Sequence, residues 1–343
     1  MPNLADQLND IAVVRAILLQ QLATSIAKDV SKQYLLILDD IKSKILNHDT
    51  LDNARVKKII KEIKSIVYPS LEKQLYSPLV ELSIQERDFI ISSTNSAVGA
   101  NIFSAVPPDS VVVAIGNAPI MEGAVVKSWF NGLNDKMSFD FERSIKLSLL
   151  KGESTQEATK RLSSIMGISL NQAETLARTA IADVTNRVRD EVYRDNNDVV
   201  KGVEFVATLD GKTTISCAIR DSALYSINDH KPLNQKAREN VYQPCPRHPR
   251  CRSIYISILK SWEELGIDIK EEIPIGTRAS MDGQVSTNTS FADWLKTKDE
   301  KFVTELLGKG RAQLYLDGKI SIGDLVTKNG KSLTLAELNA KYK

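Results

Sequence analysis

"VKGVEFVATLDGKTTISC", residues 200–217, is the first stretch in this chain where the side-chain period falls from helical to two. Val203, Phe205 and Ala207 alternate with Glu204 and Val206, the pattern of a strand with one face on a core. Asp210 and Gly211 then supply the residues of a turn. "SIYISIL" (253–259) alternates in the same way, so the two segments are expected to form a small antiparallel sheet. Between them lie all three cysteines of the chain and two of its three histidines.

Upstream of this point the pattern is helical. Residues 3 to about 47 carry Leu4, Leu8, Ile11, Val14, Leu18 and Leu22 at helical spacing, which predicts one long helix or two nearly continuous ones. "HDTLDN" (48–53) reads as a break with Asp49 or Thr50 as N-cap. A second helix follows, which Pro69 should kink or end, and a third runs from about Ser83 to Ala97. These helices make either a self-contained bundle or a surface for a partner. Residues 98–127 mix Gly, Pro and small side chains around one apolar run, Val111–Ile115, and read as a linker with a short strand. "GESTQEATKRLSSIMG" (152–167) is expected to be a short helix between two glycine stops, with Ser154 or Thr155 as N-cap. A longer helix from about Ser169 to Asn196 should follow it.

The expected fold class is α+β: mainly helical to about residue 197, a small antiparallel region near 200–260, and a helical tail. The expected divisions are a helical N-terminal region (1–100), a linker (101–124), a core domain (125–265), a flexible polar loop (266–290) and the tail (291–343). No internal repeat is visible. Hydrophobic residues at 42% and charged residues at 26% are ordinary for a globular chain. With 45 basic against 43 acidic side chains there is no global polycation, so any nucleic-acid contact must come from a local patch. "IAVVRAILLQQLATSIA" is interrupted by Arg15, Gln20 and Gln21 and is expected to fail both as a signal peptide and as a membrane span. Three cysteines argue against a disulfide scaffold and for a reducing, intracellular origin, which includes a virus particle.

Several collinear segments resemble one family, the phage Mu F-like minor head or head-morphogenesis proteins. "LARTAIADVTNRVRDEVYRDN" is similar to a helix of that family and places Arg178, Thr179, Asn186 and Tyr193 on it. "VKGVEFVATLDGKTTISC" resembles a second motif through Asp210, Thr213, Thr214, Ser216 and Cys217. "PRHPRCRS" (246–253) resembles a third through His248, Pro249, Cys251, Arg252 and Ser253, and the ending from Phe291 resembles the family's tail. Phe205 stands where a Trp is common, "RDSALY" replaces the usual turn, and Cys245 occupies the place of a proline. The resemblance implies a non-enzymatic virion protein inside the capsid, reaching it from the host cytoplasm. Its implied partners are a portal protein, a major capsid or scaffolding protein and double-stranded DNA, with roles in head assembly and in DNA packaging or ejection. It implies no membrane partner.

"YQPCPRHPRCRS" (242–253) carries the chemistry. Cys217, Cys245, His248 and Cys251 form a C-x27-C-x2-H-x2-C set, and Cys3His is an accepted structural zinc combination. The other reading is a rigid proline corner in which the cysteines are small buried residues and His248 hydrogen-bonds the backbone. Lys231, Lys236, Arg238, Arg247 and Arg250 form a basic cluster able to meet phosphates. Arg252 is expected to orient the loop through Asp210. A catalytic zinc would need an open position and a base, for which only Glu239 is near in sequence. No P-loop or dinucleotide fingerprint is present. The alternatives are a zinc-dependent nuclease built on His248 and Asp210, and a DNA-binding virion protein that makes no portal contact.

Overall fold

In the computed structural model the described residues are 4–46, 53–104, 155–266, 277–327 and 331–342, with isolated positions between 128 and 153. The architecture is α+β and mostly helical. Three long helices dominate: α1 (Leu4–Leu46), α2 (Asn53–Val98) and α3 (Thr155–Asp195). The bounds of α1 agree with its apolar spacing. Two expected breaks are absent, because α2 runs through Pro69 and Pro78 and α3 runs through Gly167. A proline removes one helical hydrogen bond and a glycine costs about 1 kcal/mol, amounts that packing on the flanking turns can outweigh. The linker and its strand at Val111–Ile115 lie outside the described residues.

The three helices meet in one core. Leu19, Ala23 and Val30 of α1, Leu79, Leu82 and Ile90 of α2, and Ala180, Val184 and Val188 of α3 are buried together. The same cluster continues into the sheet, so the N-terminal helices are part of the protein's main core. Glu86 of α2 is fully buried among them. Its Oε1 accepts from Arg189 Nε and Nη2 of α3 at 2.9 and 2.8 Å, and its Oε2 accepts from Arg15 Nε of α1 at 2.8 Å.

The sheet has the order β2–β1–β3, all antiparallel, with β1 (Val200–Val206) between β2 (Leu224–Ser226) and β3 (Ile254–Leu259). Phe205 opposite Tyr255, with Val203, faces the helical core. The second face is also covered: Val206, Ile254 and Ile256 pack on Ala12, Val13 and Ala16 of α1. That explains why β1 is buried at nearly every position although alternation alone predicts one wet face. Gly202 is required where β2 comes close, since a Cβ there would lie 2.5 Å from the Tyr225 carbonyl oxygen. Two short helices interrupt the strands, α4 (Ile215–Ala218) between β1 and β2 and α5 (Gln235–Glu239) between β2 and β3.

Part of the expected flexible loop is ordered. Thr277–Ser280 (β4) and Gly283–Ser286 (β5) form an antiparallel hairpin. The reason is a buried ion pair. Arg278 Nη1 lies 2.9 Å from Asp221 Oδ2, and its Nη2 donates to the Ala207 carbonyl at 2.6 Å. Asp221 in turn accepts from the Ala207 and Phe291 amides, both at 2.7 Å. One carboxylate thereby joins the end of β1, the hairpin and the start of α6 (Phe291–Lys296). Beyond it α7 (Glu300–Leu307), α8 (Lys309–Leu316), a 3-10 turn (Ile322–Leu325) and α9 (Leu335–Lys341) enclose a second core around Leu209, Ile219, Trp294 and Leu325.

Asp10–Lys32 of α1 is long and apolar enough to cross a membrane by length and mean hydropathy, contrary to the expectation from its three polar interruptions. In the fold this segment packs one face on α3, β3 and the hairpin and leaves the other open.

Candidate functional site

The end of β1 turns at Asp210. Its Oδ1 accepts from the amides of Lys212 and Thr213 at 2.9 and 3.0 Å, which closes an Asx-type turn. Both oxygens also hold the Arg252 guanidinium, with Nη2 at 2.7 Å from Oδ1 and Nη1 on Oδ2. Burial pushes the Asp210 carboxyl up, but the Arg252 hydrogen bonds and charge outweigh it, so the group sits below its ordinary range. The expected Asp210–Arg252 network is therefore present.

The turn leads into α4, whose N-cap is Thr214 and which buries Cys217. The Thr214 hydroxyl makes no cap bond and instead lies 3.0 Å from His248 Nε2. Across from α4 the proline loop folds back on itself, with the Cys251 amide donating to the His248 carbonyl at 3.0 Å. Arg250 sits at φ +60°, a left-handed position that disfavours a side chain. Contacts to α3 hold it there. Its amide donates to Thr179 Oγ1 at 3.1 Å, its Nε to Thr175 Oγ1 at 2.9 Å, and its Nη2 to Asn171 Oδ1 at 2.5 Å.

This folding brings three of the four cysteine and histidine residues to one point. Cys217 Sγ is 3.9 Å from Cys251 Sγ and 3.4 Å from His248 Nε2, and the three ligand atoms all lie within 4.8 Å of one another. His248 Nδ1 is 2.9 Å from the Pro249 carbonyl oxygen, so that nitrogen carries the proton and Nε2 turns its lone pair to the sulfurs. Cys245 is buried and interacts with Cys251, but it stands outside the group of three. Hydrogen bonds from Cys217 first and then Cys245 outweigh burial and hold the Cys251 thiol well below the ordinary range. Cys217, hydrogen-bonded to that thiolate and buried, is pushed far up.

Beside this corner a cleft of about 510 Å³ opens between α1, α3 and the loop. Arg178, Asn186, Lys212, His248, Arg250 and Arg252 line it, with Glu174 as the acidic member. Arg178 Nη1 reaches Thr24 Oγ1 of α1 at 3.0 Å. Asn186 donates to the Ala182 carbonyl at 2.7 Å, while its buried Oδ1 has no hydrogen-bond partner among the described residues. Residues that the sequence placed in three separate motifs thus share one cavity.

The basic cluster is arranged differently. Arg250 is bound to α3, Arg247 donates to Gln243 through Nη2, and Lys231 pairs with Asp229 at 2.6 Å. Lys236 and Arg238 sit on α5, where Arg238 is exposed and Lys236 half-buried. Glu239, the base considered for a catalytic zinc, is exposed at the end of α5. Sequence reasoning missed Asp221, Arg278 and Glu86. Of these only Glu86 leaves a local trace, as a charge at a helical interval within the stripe Leu79, Leu82, Ile90.

Residues 140–256 match the family model described as phage Mu protein F like protein. This part of the chain is a phage Mu protein F like domain. The family is one of phage head morphogenesis, with association to other capsid components and a location in the virion. No curated protein and no solved structure matches the chain. The domain spans about a third of the chain and contains α3, β1, the thiol corner and the first residues of β3. The α1 wall of the cleft and the tail lie outside the matched stretch.

Proposed function

We propose that the chain is a minor head protein which joins the procapsid interior by docking α1 on the portal and assists DNA packaging or ejection. The observation that carries the docking is the open face of α1 in a chain with this domain. Val14, Leu18, Leu22 and Leu36 recur at helical intervals, and Val14, Leu18 and Leu36 are each about half exposed at 49%, 48% and 55%. Exposed apolar rows of this kind mark protein contacts. The basic residues of the cleft give DNA a second, weaker point of contact through phosphate.

A nuclease reading has less support. Both Asp210 oxygens are held by Arg252, and among the described residues no carboxylate joins the thiol and imidazole group. The test is co-expression with the portal and major capsid proteins of the same genome, followed by affinity capture and mass spectrometry. Co-purification of the portal with wild type, lost in the double variant Leu18→Glu, Leu36→Glu while the circular dichroism is unchanged, supports the docking. Capture of neither head protein by folded wild type overturns it.

A further inference from the structure

We infer that Cys217, His248, Cys251 and Cys245 form a structural zinc site that locks the proline loop to α4. The argument starts from geometry. Zinc at about 2.3 Å from sulfur and about 2.0 Å from nitrogen, with tetrahedral angles, sets sulfur atoms about 3.8 Å apart and sulfur and nitrogen about 3.5 Å apart. The separations found are 3.9 Å for Cys217 and Cys251 and 3.4 Å for Cys217 and His248. The imidazole is also set for a metal. Its Nδ1–H is held by the Pro249 carbonyl, which is the outer-shell bond that ligating histidines make and which leaves Nε2 free to bind. Cys245, buried in the same loop but outside the group of three in this fold, is the residue assigned as fourth ligand. Sulfur and nitrogen donors, with no carboxylate in the group of three, select zinc over calcium or magnesium.

Charge provides a second, independent line. Arg220, three residues after Cys217, is 1% exposed and its Nε and Nη2 have no partner. Arg247, in the loop between Cys245 and His248, likewise has Nε and Nη1 buried without partners. The two cations lie close enough to repel each other, and among the described residues neither forms an ion pair. Burying such a pair without counter-charge is costly. A zinc ion bound by three thiolates and a neutral imidazole carries a net negative charge and supplies it.

The site would fix one wall of the cleft, because His248 and Cys251 bracket Arg250 and precede Arg252. It does not depend on the head-assembly reading. The test is metal analysis of the reduced full-length protein. One zinc per chain is expected, lost in Cys217→Ser, Cys251→Ser and Cys245→Ser. A strong chelator should lower Tm by about 10 °C, and added zinc should restore it. Should the serine variants fail to fold, cobalt(II) added to chelated wild type serves instead, and a tetrahedral thiolate absorption is the expected signature. Wild type that is folded, fully reduced and free of zinc, and that takes up no cobalt, overturns the site. So does a native disulfide between Cys217 and Cys251. Zinc retained in folded Cys245→Ser overturns the assignment of the fourth ligand.

Discussion

Replacing Arg278 by methionine tests the claim that one buried ion pair orders the hairpin. Arg278 and Asp221 have side chains 3% and 1% exposed, with two nitrogen–oxygen contacts at 2.9 and 3.1 Å. Methionine fills much of the same volume but leaves the Asp221 charge with only the Ala207 and Phe291 amides, and it strips a donor from the Ala207 and Thr289 carbonyls. Removing one partner of such a pair costs about 3–5 kcal/mol, much of it the uncompensated charge. For a core of this size that corresponds to a fall in Tm of roughly 10 °C. Urea unfolding followed by tryptophan fluorescence reads it directly, because Trp294 is buried in the adjoining core. The double variant Asp221→Asn, Arg278→Met removes the stranded charge and should recover most of the loss, since apolar replacement of both members of a buried pair is often near neutral. A loss below about 1 kcal/mol in the single variant, the range of exposed pairs, refutes the reasoning. So does a double variant that is less stable than the single one.

Other consequences follow from the same kind of reasoning. Burial, with the charge of Asp221 added, raises the Glu204 carboxyl to about 7. Its folded value exceeds its unfolded one, so stability is full below about 4.5 and declines as pH rises through about 7. Glu204→Gln should remove that slope and gain up to about 3 kcal/mol at pH 8; melting curves that fall with pH as steeply as wild type refute this. Glu86→Gln leaves Arg189 and Arg15 without a counter-charge and should cost about 3 kcal/mol in denaturant unfolding, whereas an unchanged midpoint would mean the pair is not buried. Arg252→Ala should cost only about 1 kcal/mol, because the pair with Asp210 is about one-fifth exposed. The Asp210 carboxyl is held low, so this contribution is present above its unfolded value and is lost as pH falls through the folded one. A deficit that persists undiminished at pH 2 contradicts it.

What the sequence made legible was periodic or local. The long spacing of α1, the alternation of β1 and β3, and the Asp210 turn each reside in a window of a few to a few tens of residues, and each reappears in the fold. Pro69 and Gly167 misled for the opposite reason. A breaker is a local cost, and the outcome depends on side chains packed many residues away. The Asp221–Arg278 pair spans 57 positions and joins two segments that read as turn and loop, so no window contains it. The thiol corner was half legible. Spacing named its four members, but only the folded chain shows that Cys217 meets His248 and Cys251 directly while Cys245 stands one contact further out.

The two faces of α1 divide the work of holding and of docking. Its buried side is rich in small residues, Ala12, Ala16, Ala23 and Ala27, which let the helix lie close to the sheet and α3 but specify little about how far it slides. Polar contacts fix that. Asp10 accepts from Thr277 of the hairpin at 3.0 Å, Arg15 from α1 reaches Glu86, Thr24 accepts from Arg178, and Ser31 donates to Glu174 at 3.1 Å. These four lie along some twenty residues, so a shift of one helical turn would break all of them together. Val14, Leu18, Leu22 and Leu36 fall on the opposite side of the same helix and take part in none of these contacts. A partner can therefore cover that row without disturbing the register beneath it, and the cleft wall formed by α1 stays in place while the helix is docked.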